Sequence, residues 1–250
     1  MGYDIEKPDI LNYFDHVKFE TSEFHIKIPM IDLMKCRFCG SCIPFCPETV
    51  LHFDKSVPRI EVIPERCKAC GECIKGCHVH IITGRDQLCG YIIQGRENGN
   101  YFTFGKSYDG HDYHLPLICE LNSKVQPGAT VICDLPPGNS VFVKVALQDT
   151  TVAAIAVKPN RGWKRNMDSM TGMLTAMGVP FGIIINKIKN EESFVREVQD
   201  FCETEAIPLL GKIPYDVMIE QGKTSIDADY GDDLRAIFAS LLTKIQEISV

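Results

Sequence analysis

Residues 36–47 read CRFCGSCIPFCP, and residues 67–78 read CKACGECIKGCH. Each is a C-x2-C-x2-C-x3-C run, so the chain carries an internal repeat whose thiols are Cys36, Cys39, Cys42 and Cys46, then Cys67, Cys70, Cys73 and Cys77. Three thiols spaced by two residues let a tight loop wrap one face of a cubane, while the fourth points away from that face. Zinc sites usually pair two C-x2-C hooks and need four ligands, not two tandem triplets each with a distant fourth. A disulfide framework is expected in a short secreted chain, whereas this one has 250 residues and shows no secretion signal. The eight cysteines in register therefore point to iron–sulfur centres.

The repeat resembles the motif of the bacterial two-cluster ferredoxins. That likeness implies two [4Fe–4S] clusters with crossed fourth ligands. The first would take Cys36, Cys39, Cys42 and Cys77, and the second Cys67, Cys70, Cys73 and Cys46. Cys46 is followed by Pro47, whose fixed φ suits a first helical turn, whereas Cys77 is followed by His78.

Outside the repeat, composition narrows the classes. With 45% apolar and 24% charged residues, the chain has the make-up of a soluble globular protein of one large or two modest domains. A net charge of -7 and the absence of a basic stripe argue against a nucleic-acid partner. Twelve cysteines without a signal peptide imply a reducing, cytoplasmic setting. No apolar run approaches the roughly 18 residues of a membrane span. Cys89, Cys119, Cys133 and Cys202 lie outside the repeat and read as small buried hydrophobes. His78, His80, His111 and His114 are scattered and read as surface or hydrogen-bonded residues rather than a further metal site.

Taken in order, EFHIKIPMI at 23–31 alternates until Pro29 and predicts a strand leading into the cluster region. VLHFDKSVPRIEVI, between the two motifs, predicts two short strands. LCGYIIQG and NYFTFG flank Glu97-Asn98-Gly99, a strong hairpin signal. LPLICELNSK predicts a short helix with Pro116 near its start. Beyond residue 129, short apolar runs alternate with amphipathic stretches: TVICDL, VFVKVALQ, TVAAIAV, a helix around 166–178, GIIIN, a helix around 192–204, and PLLGKI. That alternation predicts βαβ units and a parallel sheet. The last stretch places Leu234, Ile237, Phe238, Leu241, Leu242 and Ile245 on one helical face, expected to pack on the sheet rather than lie on a membrane.

TVICDLPPG carries a second constellation. An apolar strand ending at Asp134 would present that carboxylate at the carboxyl edge of a parallel sheet, where ligands bind in such folds. Gly138 would let backbone approach a phosphate closely. The alternative role for Asp134 is to cap the next helix.

DLPPG resembles the D-x-P-P-G switch of the MinD/ParA-type P-loop ATPases, and Asp4-Ile5-Glu6-Lys7-Pro8 resembles the D-x-E-x-P switch of their ferredoxin-containing branch. Asn186-Lys187 and IPLLGKIPYD match the positions that read and close over adenine in those proteins. The resemblance implies an α/β, P-loop-NTPase-like parallel-sheet domain from residues 1–30 and 85–250, with an inserted α+β bacterial ferredoxin-like domain at 31–84. It implies Asp4 and Asp134 as switch residues beside Mg²⁺ and the attacking water, and Gly138, Asn186 and Lys187 as nucleotide contacts. A guanine-reading N-K-x-D is ruled out by Lys189. Val141 stands where relatives that bridge a cluster between subunits have a cysteine.

The G-K-G-G-x-G-K-[ST] phosphate loop of that family, and the first strand that carries it, do not occur in these residues. ATP and Mg²⁺ are therefore expected only if the loop is supplied elsewhere, by a partner chain that also donates the strand or within a homodimer. The expected function is electron relay through two [4Fe–4S] clusters to a redox partner protein. A metallocluster carrier and a non-hydrolysing docking module are the alternatives.

Overall fold

The computed structural model describes residues 1–3, 5, 9–14, 17–54, 56–108, 114–220 and 232–248. The chain divides into two compact units, residues 1–10 with 16–136, and residues 11–15 with 137–250. These units do not follow the 30/31 and 84/85 boundaries read from the sequence.

In the first unit, β1 (Phe19–Ile31) leads into the double-cysteine segment. That segment contains β2 (Leu51–Asp54), β3 (Arg59–Val62) and a single helical turn, α1 (Glu72–Lys75). The chain returns along β4 (Ile82–Glu97), turns into β5 (Asn100–Ser107), and continues into α2 (His114–Ser123). The sheet order is β1-β4-β5, antiparallel throughout, and β2 and β3 form their own antiparallel pair. Pro29 lies inside β1 rather than ending it, which an edge strand permits because one row of its backbone groups needs no ladder partner. Asn98 and Gly99 both adopt positive φ, 47° and 81°, the requirement of the tight hairpin turn that matches strand twist.

The register of β1 on β4 runs from Phe19↔Gly95 to Ile31↔Ile82, with a bulge at Phe24/His25 that skips Cys89. The skipped residue turns its side chain inward and is fully buried. Only residues 90–97 of β4 also pair with β5, so the stretch from Ile82 to Leu88 pairs with β1 alone.

TVICDL is not the expected strand. Among the described residues it contributes one isolated bridge, Asp134 to Gly2, and Ile132 is 79% exposed. The reason lies in where its backbone bonds go. Asp134 N–H donates to Met1 O and Tyr3 N–H donates to Asp134 O, both at 2.8 Å, while Gly2 N–H donates to Thr103 O at 2.9 Å. The extended residues 1–3 thus lie between β5 and Asp134, and the prolines at 136 and 137 stop the run from going further.

The second unit is the α/β part. It runs α3 (Val141–Ala146), β6 (Ala153–Val157), α4 (Trp163–Met177), β7 (Phe181–Ile188), α5 (Glu192–Thr204), β8 (Leu209–Pro214), the single turn α6 (Val217–Glu220) and α7 (Asp232–Ile248). β6, β7 and β8 form a parallel sheet in that order, with Ile155, Val157, Ile183, Ile185 and Leu210 buried. VFVKVALQ, which stands at an amphipathic place in the alternation, is helical. Ser140 caps it, its hydroxyl accepting from Val143 N–H at 3.4 Å. Trp163 of α4 meets Phe194 and Phe201 of α5 edge-on, at 5.6 and 5.9 Å between ring centres. α7 packs on β8 through Leu241, which closes over Gly211, but Phe238 and Leu242 of the expected apolar face are exposed.

Among the described residues no helix is long and apolar enough to cross a membrane.

Candidate metal centre

The two halves of the repeat fold alike because their backbones bend at the same places. Phe38 and Gly40 have φ of 50° and 72°, and their counterparts Ala69 and Gly71 have 58° and 74°. Thr49 and His80, each three residues past a fourth cysteine, have 51° and 52°. Left-handed residues at these points curl each loop back on its first thiol. Phe38 N–H accordingly donates to Cys36 Sγ and Ala69 N–H to Cys67 Sγ, both at 3.4 Å. Val50 N–H donates to Cys46 Sγ at 3.3 Å.

The curled loops leave two recesses. One, with an empty volume of about 290 Å³, is lined by Cys36, Cys39, Cys42 and Cys77. The other, about 320 Å³, is lined by Cys46, Cys67, Cys70 and Cys73. Cys46 and Cys77 thus stand with the triplet of the opposite half. Leu51, Ile60 and Ile82 pack with Cys42, Cys73 and Cys77 into one apolar cluster.

The donor chemistry fits an iron–sulfur group. Four soft thiols per recess are the ligand set such clusters take. Among the described residues, no three His, Cys, Asp or Glu side chains converge on the position of a single metal ion. The thiols surround a volume rather than pinch a point. Burial pushes the Cys42 and Cys67 thiols up from their ordinary value and the Cys73 thiol up to about 11. Thiolates are costly there unless a cation replaces the proton, which iron does. Cys39 is exposed and shifted the opposite way, downward, chiefly by the Ser41 side chain. The Ser41 contact is not legible from spacing alone; its only sequence signal is a hydroxyl residue inside CGSC.

The remaining residues singled out in the sequence fall in different parts of the chain. Asp4 lies outside the described residues, as does His111. Asp134 is exposed, in the first unit, and bridged to Gly2. Gly138, Asn186 and Lys187 belong to the second unit. Gly138 has φ of 98°, with open space where a Cβ would stand. Asn186 and Lys187 lie near the carboxyl end of β7. Asn186 Oδ1 accepts from Lys187 N–H at 2.8 Å, and Lys187 Nζ is ion-paired with Glu220. Cys89 and Cys202 are buried as expected, whereas Cys119 is exposed, on the outward side of α2.

Residues 35–81 match the 4Fe-4S dicluster domain family. The pyruvate synthase subunit PorD of Methanocaldococcus jannaschii is 31% identical over 67 residues, 27% of this chain and 77% of that protein. The PorD subunit of Methanothermobacter marburgensis is 37% identical over 65 residues, 26% of this chain and 74% of that protein. Among solved structures, the MinD cell division protein of Aquifex aeolicus overlaps with a TM-score of 0.41 at 18% identity. That overlap covers 57% of this chain, which spans 64% of the length of that protein. Fold and site together define an iron–sulfur electron carrier with an α/β part. Through residues 35–81, the chain belongs to the 4Fe-4S dicluster ferredoxins.

Proposed function

We propose that this protein relays electrons through two [4Fe–4S] clusters to a redox partner protein. The observation that carries the reading is the pair of recesses, each lined by four cysteines with the fourth exchanged between halves. When bound, such clusters supply one-electron chemistry. The chain's own residues hold the thiolates, aim backbone N–H groups at Cys36, Cys46 and Cys67, and bury Cys42, Cys67, Cys73 and Cys77 away from water. In this reading residues 31–84 form the cluster-bearing insert and residues 1–30 and 85–250 its frame. The likeness to PorD suggests a partner among oxidoreductases of the pyruvate synthase kind.

Anaerobically prepared protein should hold close to eight iron atoms per chain, four for each cubane, and show coupled paramagnetic signals once reduced. The iron should also survive treatment with chelator, as four-thiolate sites do and labile carrier sites do not. Zinc in place of iron would overturn the reading.

A further inference from the structure

The halves of the repeat match in backbone but differ in what stands beside equivalent thiols. Two places after Cys39 stands Ser41, whose Oγ lies 3.3 Å from Cys39 Sγ. Two places after Cys70 stands Glu72, whose carboxylate is drawn to Lys75 Nζ at 2.6 Å. One place after Cys36 stands Arg37, which lines the first recess. Its counterpart Lys68 is paired with Glu48 at 2.6 Å.

An iron-bound thiolate carries no proton, so across the Cys39–Ser41 contact only the Ser41 hydroxyl donates. The competing acceptor, Gly76 O at 3.5 Å, is farther and neutral, and a hydrogen bond to a charged acceptor is the stronger. Donors to ligating sulfur and nearby positive charge favour the more negative, reduced state of a cluster, while a nearby carboxylate opposes it. Val50 N–H on Cys46 acts in the opposite sense, favouring the second site. Lys27 lines the second recess but is paired with Asp86 at 2.7 Å, and Glu72 is paired with Lys75, so the contact on sulfur that has no counterpart in the second half is the Ser41 hydroxyl.

We propose that Ser41 is a positioning residue that makes the two sites unequal. The site lined by Cys36, Cys39, Cys42 and Cys77 has the higher reduction potential, and an electron shared between the two sites rests there. Exchange between them moves one electron, with no bond made or broken and no proton transferred. The inference rests on the relay reading and assigns it a direction.

The test is a redox titration of the anaerobically prepared full chain, followed by electron paramagnetic resonance, with iron counted in each sample. Wild-type protein should show two one-electron couples of unequal potential. Ser41→Ala should lower the higher couple and leave the other in place. The expected size is about a ten-fold change in the reduced-to-oxidised ratio at fixed poise, ~59 mV for one electron. Ser41→Thr, which keeps the hydroxyl donor, should restore the wild-type value, whereas Ser41→Cys, similar in size but a weak donor, should not. Glu72→Ser should raise the lower couple, and it decides the matter if Ser41→Ala loses iron. Equal couples in the wild type, or a Ser41→Ala protein with eight irons and unmoved potentials, overturns the assignment while the relay reading stands. Wild-type protein without two iron–sulfur couples overturns both.

Discussion

Cys46 belongs by sequence to the first half of the repeat and by position to the second. It lines the recess of Cys67, Cys70 and Cys73, with its sulfur held by Val50 N–H. Removing it should therefore damage the site whose other ligands lie more than twenty residues away in the chain. Cys46→Ala is expected to retain the cluster signal of the first triplet and lose or convert that of the second, with iron falling from about eight toward four per chain. Loss of the first signal instead would show uncrossed ligation. The eight thiols and their repeat are legible in the sequence, and their crossing is what the resemblance to two-cluster ferredoxins implies. The Ser41 contact was not, since it needs the loop to curl through Phe38 and Gly40 before hydroxyl and sulfur meet.

At the scale of elements, patterns with their own local punctuation read correctly. The Asn98-Gly99 turn dictates the β4–β5 hairpin, and the parallel sheet follows from short apolar runs spaced by amphipathic helices. TVICDL carried the same apolar signal without being a strand, because among the described residues its partner is the short extended run of residues 1–3, which meets it at Ile132 O and Asp134. VFVKVALQ, by contrast, is a short helix, which the Ser140 cap starts at once. The close pairing of β4 with β5 gives a direct test at Gly90. A Cβ there would lie 2.4 Å from Lys106 O and 3.1 Å from Leu117. Backbone cannot yield as a flexible side chain does, so Gly90→Ala should destabilise by about 1–3 kcal/mol, read as a lower denaturant midpoint with an unchanged slope. An unchanged midpoint would mean that this register is wrong.

For the whole molecule, the question is whether the α/β part works as a nucleotide switch. These 250 residues hold no lysine-bearing phosphate loop. At the expected base-reading position, Asn186 Oδ1 is already engaged by Lys187 N–H and Lys187 by Glu220. Calorimetry of the chain with Mg²⁺-ATP should accordingly show no tight binding. A strong, Mg²⁺-dependent signal with turnover would overturn that expectation.

The unequal width of the first unit's sheet has a mechanical consequence. From Ile82 to Leu88 the return strand pairs with β1 alone, and the bulge at Phe24/His25 falls where the third strand begins. Seven residues at about 3.3 Å each make a two-stranded ribbon roughly 23 Å long that leads to the cysteine loops. Such a ribbon resists stretching but flexes across its face. Tunnelling rates fall exponentially with the gap between donor and acceptor, so small deflections at the root become large changes in rate at the tip. The turnover of electrons with a bound partner would then be gated by the stiffness of the seven backbone pairs that carry the cysteine loops.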